Sequence, residues 1–340
     1  MKLIKSAAAT AAILSISATA VQAGTLEDVR AADFLKCGVS TGVAGFAFTD
    51  DAGDWQGFDP AFCKAVAAAV LGDASKVKYT PTTGKTRFEA LKSGEVDLLA
   101  RNTTWTYSRD ADLKLTFIGV NYYDGQGFLI PKEMGVESAK DLDGASVCIQ
   151  TGTTTELNLA EFFRVNGISY EPVAIETNAE GVKNYSAGRC DVYTTDASGL
   201  AATRAVLEDA AAHVILPEII SKEPLGPLVR HGDDQWADIN RWVLNALIIA
   251  EELGITKANV AEMAAAAGDN PEINRLLGTE GEFAAMVGLE KTWAADAIAA
   301  VGNFGEIFNE FIGPDTDIGL ERGLNALWTE GGIIYAPPFR

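Results

Sequence analysis

Basic residues, histidine and long apolar runs are all scarce in this chain. Lysine and arginine total 27 against 47 aspartates and glutamates, a formal net charge of −20. A chain so acidic lacks the basic face that nucleic acid requires, so no nucleic-acid partner is expected. The acidity serves solubility, and a few local arginines in a cleft still leave room for a small anionic ligand. Only two histidines occur, His213 and His231, and no CxxC pair accompanies them, so neither a metal nor a cofactor is expected. GxSxG, HExxH, Walker A and a GxGxxG following a strand are all missing, and nucleophilic catalysis has no foothold. Heptads, low-complexity segments and basic runs are absent as well. The apolar run Ala7–Val21 is shorter than the roughly 20 residues of a membrane span.

That short run follows Lys2 and Lys5 and ends on Val21-Gln22-Ala23, a small-x-small site. The pattern predicts a signal peptide over residues 1–23. No cysteine follows the cleavage site, so a soluble exported protein is expected rather than a lipid-anchored one. Removing Lys2 and Lys5 takes the charge from −20 to −22. In an oxidising compartment the four cysteines, Cys37, Cys63, Cys148 and Cys190, read as disulfides. Four cysteines permit three pairings. Two lie early and two in the middle, which favours Cys37–Cys63 and Cys148–Cys190.

Strand and helix signals alternate, the pattern of an α/β fold with parallel sheet. Strands are expected at 34–40, 76–80 and 96–100, with helices at 58–71 and 86–93. The middle repeats the theme, with strands at 145–150, 170–175 and 191–195 and helices at 153–165 and 178–187. Residues 88–97 even rhyme with 182–191: helix end, glycine, then a strand opening on aspartate. Two lobes follow, joined through 121–131 and 217–230, two crossings able to bend as a hinge. The expected division is 24–124 for the first part of lobe one, 125–222 for lobe two, and 223–340 for the return. An apolar helix at 236–253, broken by Arg241 and Asn245, belongs to the core. Ala-rich, acidic helices after it form an added layer on lobe one.

Two loops carry the chemistry. Thr151-Gly-Thr-Thr-Thr155 turns from strand into helix, where backbone N–H groups lack partners and the helix dipole favours an anion. Gly152 permits close backbone approach, and Thr154 or Thr155 adds a hydroxyl. The plain alternative is a capping box of Thr153 with Glu156. The second loop runs from Asn102 through Thr104 and Trp105 to Arg109, just after a strand, where α/β sheets bind ligands. Arginine grips a carboxylate with two parallel hydrogen bonds. Asp196, at another strand end, is placed to hold an ammonium. One carboxylate grip and one ammonium grip at fixed separation read an α-amino acid. Phe46 and Trp105 are candidates to cover its side chain. Arg101 and Arg87 are candidates for a side-chain carboxylate, against a simpler role in salt bridges.

These segments together, with Gly57-Phe-Asp59 opening the first helix, resemble the periplasmic solute-binding proteins of ABC transporters for polar amino acids. The C-terminal helices and Gly125-Gln-Gly-Phe128 most resemble the general L-amino-acid-binding branch. The resemblance implies a two-lobe, type II Venus-flytrap fold and a periplasmic monomer. It would bind polar L-amino acids, with glutamate, glutamine, aspartate and asparagine favoured, and deliver them to an inner-membrane ABC permease. It implies that Arg109 binds the ligand carboxylate, that Thr154 adds a donor from lobe two, and that Asp196 binds the ammonium. Asn102 and Thr104 fall where the family carries serine or threonine, and Phe46 where an aromatic lid sits. The rival is an exported enzyme on the same scaffold, such as a cyclohexadienyl-type dehydratase, which needs a general acid in the cleft.

Overall fold

The computed structural model describes residues 24–265 and 268–340, so the expected signal peptide lies outside the described residues. Two five-stranded sheets organise the chain. The first has the order Val77–Thr82, Leu35–Ser40, Leu98–Leu99, Leu228–Arg230, Leu115–Phe117. The second has the order Tyr170–Ile175, Ala145–Gln150, Val192–Asp196, Gln126–Pro131, His213–Ile215. In each sheet the first three strands pair parallel, joined by helices such as Phe58–Leu71 and Thr154–Asn166.

Neither sheet is purely parallel, which corrects the sequence expectation. Gln126–Pro131 runs antiparallel to Val192–Asp196, and Leu228–Arg230 antiparallel to Leu98–Leu99. The cause is topological. The βαβ strands end at the cleft between the lobes, whereas a strand arriving straight from a crossing starts there and runs the other way. The crossings themselves are short: Tyr122–Asp124 pairs antiparallel with Glu223–Leu225. Most of 121–131 is therefore the fourth strand of the second sheet rather than linker.

The repeat between lobes has a shared mechanism. Asp97 Oδ2 accepts from the Lys36 backbone N–H at 3.2 Å, and Asp191 Oδ2 from that of Ser146 at 2.8 Å. In return the Asp97 and Asp191 amides donate to the carbonyls of Lys36 and Ser146. Each aspartate clips the start of its strand to the neighbouring strand. Gly94 and Gly188, just upstream, have φ of +78° and +66°, which a Cβ disfavours. Each lobe also holds one disulfide, Cys37–Cys63 and Cys148–Cys190, as the sequence order favoured.

Lobe one is the larger because the C-terminal layer packs on it. All of Phe58–Leu71 except Lys64 and Leu71 is buried, against the sheet on one side and Trp293–Val301 on the other. Its alanines let the two helices approach closely. The helix Asp234–Glu252 buries twelve residues in the same core. The tail is tied down by Arg322, which pairs with Glu251 at 2.9 Å and lies over Phe304 and Phe308. Asn325 then reaches the hinge: its Oδ1 accepts from Tyr123 N–H at 2.6 Å and its Nδ2 donates to Tyr123 C=O at 3.1 Å. No helix among the described residues is long and apolar enough to cross a membrane.

Candidate functional site

The parallel strands of both sheets deliver their C-terminal ends to one cleft. Ser40, Thr41, Arg87, Arg101, Asn102 and Thr104 line it from lobe one. Gln150, Thr153, Thr154, Thr155, Asn178, Tyr193 and Asp196 line it from lobe two. The walls are polar and the lobes touch across them. A Cβ on Gly84 of lobe one would stand 2.7 Å from Thr151 C=O of lobe two, and one on Gly152 would stand 3.2 Å from the Gly84–Lys85 backbone. Gly152, expected beside a ligand, is instead a contact between lobes, and its φ of +75° suits glycine.

Three guanidinium groups converge on the lobe-one side. Arg87, Arg101 and Arg109 are only 2%, 5% and 6% exposed. None makes an ion pair among the described residues, so the salt-bridge roles weighed for Arg87 and Arg101 are not realised. Arg101 donates from Nε to Thr82 C=O at 3.0 Å, and Arg87 from Nη1 to Thr103 Oγ1 at 3.3 Å. Arg87 Nε is buried without a partner. Arg109 stands behind Thr104 rather than on the cleft wall, donating from Nη1 to Thr104 C=O at 2.8 Å. The Phe88 ring supports both Arg87 and Arg109, 4.7 and 5.1 Å from its centre. Burial lowers the pKa of all three, Arg101 to about 10, and repulsion from the neighbouring guanidinium groups adds to the lowering at Arg87 and Arg101.

Asp196 faces them from the end of Val192–Asp196. It sits at the N-cap of the helix Ala197–Ala205, yet its side chain caps nothing and makes no hydrogen bond. Burial raises its pKa well above the usual carboxylate range, helped by Asp124 and Glu223 and opposed by Arg87 and Arg109. An unpaired buried carboxylate opposite unpaired buried guanidinium groups is a costly arrangement unless a ligand of both charges fits between them.

The turn before Thr154–Asn166 also departs from simple capping. Thr153 Oγ1 donates to Gln150 C=O, and Glu156 accepts from Gly152 N–H at 3.0 Å, so no capping box forms and no side chain caps the first helical turn. Asn102 has φ of +24°, donates its N–H to Asp59 at 3.3 Å, and leaves Oδ1 buried without a partner beside the cleft. Burial lifts Asp59 to about 7.

The aromatic expectations fail here. Phe46 is 1% exposed in the lobe-one core, edge-on to Phe58 and Tyr122, and Val43 takes its place on the cleft wall. A phenyl ring after a strand gains more by joining that cluster than by facing a polar cleft. Trp105 stacks on Phe117 and donates from Nε1 to Asp110, turned away from the cleft.

Sequence reading also overlooked residues. Ser40, Thr41 and Gln150 lie at or beyond strand C-termini, where the rule for open α/β sheets points. Glu223 carries no such signal, yet it is 2% exposed and accepts four hydrogen bonds. Thr104 Oγ1 donates to its Oε2 at 2.5 Å and Thr154 Oγ1 at 2.9 Å. Asn158 Nδ2 and Ser221 Oγ donate to its Oε1 at 2.7 and 2.6 Å.

Comparison with known proteins agrees with this architecture. Residues 35–257 match the family model of bacterial extracellular solute-binding proteins, family 3. The chain is 61% identical over 97% of its length to the glutamate/glutamine/aspartate/asparagine-binding protein BztA of Rhodobacter capsulatus, 97% of which is covered. It is 56% identical to the general L-amino acid-binding periplasmic protein AapJ of Rhizobium johnstonii, over 98% of each chain. A solved periplasmic binding protein from Brucella ovis, with glutathione bound, superposes with a TM-score of 0.90 at 54% identity, covering 94% of this chain and all of that one. With its two α/β lobes, paired hinge strands and interlobe cleft, the chain belongs to the family 3 bacterial extracellular solute-binding proteins and has their type II periplasmic-binding-protein fold.

Proposed function

We propose that this protein binds polar L-amino acids between its lobes in the periplasm and hands them to an ABC permease without chemical change. The observation that carries the reading is the pairing of Asp196, buried and without a hydrogen bond, with the buried guanidinium groups of Arg87 and Arg101 across one cleft, with Arg109 behind Thr104 and none of the three in an ion pair among the described residues. An α-amino acid brings one ammonium and at least one carboxylate at fixed separation, and so neutralises both sides. The uncapped N-terminus of Thr154–Asn166 adds backbone donors for the carboxylate. Because the ligand touches both lobes, it binds the closed form better, and that difference in affinity drives closure. The names of BztA and AapJ support the ligand class. Transport as a monomer, with no nucleic-acid partner, accords with an acidic exported chain. Turnover has no support in the cleft: Asp196 and Glu223 are both accounted for by binding and hydrogen bonding.

A longer ligand is the second reading. Val43 lines both the polar cleft and an adjoining apolar groove, floored by Phe311 and Ile318 of the C-terminal layer. The Brucella ovis relative with glutathione bound supports it. Calorimetric titration of unfolded and refolded protein with the twenty L-amino acids and glutathione tests both readings. Binding of several polar L-amino acids, each recovered unaltered, is expected; an altered ligand, or no binding, would overturn the proposal.

A further inference from the structure

We propose that Glu223 is a positioning residue of the ligand site, a hinge-borne clasp that makes the Thr104 and Thr154 hydroxyls into acceptors. A threonine hydroxyl has one proton and two lone pairs. Thr104 and Thr154 each commit that proton to Glu223 Oε2, at 2.5 and 2.9 Å. The two hydroxyl oxygens lie 3.3 Å apart, and both residues line the cleft that Asp196 also lines. With their protons taken, they present lone pairs to the cleft. They therefore accept from a ligand ammonium, beside Asp196, and do not donate to a ligand carboxylate. Carboxylate binding falls to the guanidinium groups and to the backbone N–H groups at the start of Thr154–Asn166.

The same four hydrogen bonds join the moving parts. Thr104 belongs to lobe one, Thr154 and Asn158 to lobe two, and Ser221 and Glu223 to the returning crossing. Backbone pairing of Glu223 with Asp124 fixes where the carboxylate stands. Oε1 is held by Asn158 and Ser221, which leaves Oε2 aimed at both threonines. Closing the lobes thus assembles the clasp and sets hydroxyl polarity in one step.

This inference deepens the amino-acid reading and rests on it. Its test is a mutant cycle on E223Q, with T104V/T154V as the second arm, measured by equilibrium dialysis with L-glutamine and L-glutamate. The glutamine amide donates where the carboxylate accepted, so one hydroxyl must turn its proton into the cleft. We expect E223Q to weaken both ligands at least tenfold. In the T104V/T154V background the same change should alter affinity less than twofold. Unchanged or tighter binding by E223Q, or losses that multiply in the combined variant, would overturn the proposal. Wild-type protein that binds neither probe would sink the amino-acid reading instead. The clasp is then judged from melting temperatures in the same cycle: E223Q must lower the midpoint in wild type and leave it unmoved in T104V/T154V.

Discussion

Replacing Asp196 with asparagine should move stability and binding in opposite directions. The side chain is 8% exposed, caps no helix and accepts no hydrogen bond. Burial and the nearby carboxylates of Asp124 and Glu223 raise its pKa well above the usual range. The folded, ligand-free protein therefore holds that charge at a cost. The sign follows from linkage. A carboxyl whose folded pKa is raised imposes no cost below its unfolded value, near 3.8. The cost grows as pH rises above that value and is complete once pH exceeds the folded pKa. D196N removes it, so the ligand-free variant should be more stable at pH 7.5 by on the order of 1 kcal/mol, the size of a typical single stabilising substitution. The variant's stability should also fall less steeply with rising pH than that of the wild type. Binding runs the other way. Loss of one partner in a desolvated, hydrogen-bonded charge pair costs about 2–5 kcal/mol, or roughly 30-fold to several thousandfold in affinity. Thermal melts without ligand at several pH values, and calorimetry with L-glutamate and L-glutamine, read both quantities. A variant that melts lower and binds as well as wild type would refute the reasoning.

Other outcomes follow from single contacts. Gly84→Ala places a methyl 2.7 Å from the Thr151 carbonyl across the cleft; full closure is blocked, and ligand affinity should fall about tenfold, about 1.4 kcal/mol, with ligand-free melting unchanged. Asn325→Ala removes both hydrogen bonds to the Tyr123 backbone, so melting should drop by the equivalent of ~1–3 kcal/mol, and hydrogen exchange should quicken at residues 122–124. Reducing Cys37–Cys63 and Cys148–Cys190, with sequence separations of 26 and 42, should cost about 3–4 kcal/mol each. Each disulfide lies within one lobe, so ligand affinity measured well below the melting point should stay within threefold of wild type.

Features that depend on local chain chemistry were legible in the sequence. The βαβ order, the glycines that follow helices such as Phe58–Leu71 and Thr154–Asn166, the disulfide pairs and the strand-end position of Asp196 all follow from residues close in sequence. The rhyme between 88–97 and 182–191 was legible as a repeated helix end, glycine and strand start, while the clip made by Asp97 and Asp191 needed the neighbouring strand. Where the reading went astray, the deciding partner lay far away in the chain. Phe46 turned inward because Tyr122 and Phe58 offer it aromatic edges. Gly152 touches Gly84 and Lys85, almost seventy residues upstream. Glu223 sits in a short segment between prolines, and its four donors come from positions 104, 154, 158 and 221. The antiparallel strands were missed because local pattern reveals a strand without its direction.

A crystal structure of the protein soaked with L-glutamate tests the central claim most directly. The account predicts the ligand between the lobes, its ammonium within hydrogen-bonding distance of Asp196 and a carboxylate on at least one of Arg87, Arg101 and Arg109. A ligand that occupies the cleft without touching Asp196, or that binds outside it, would contradict the account.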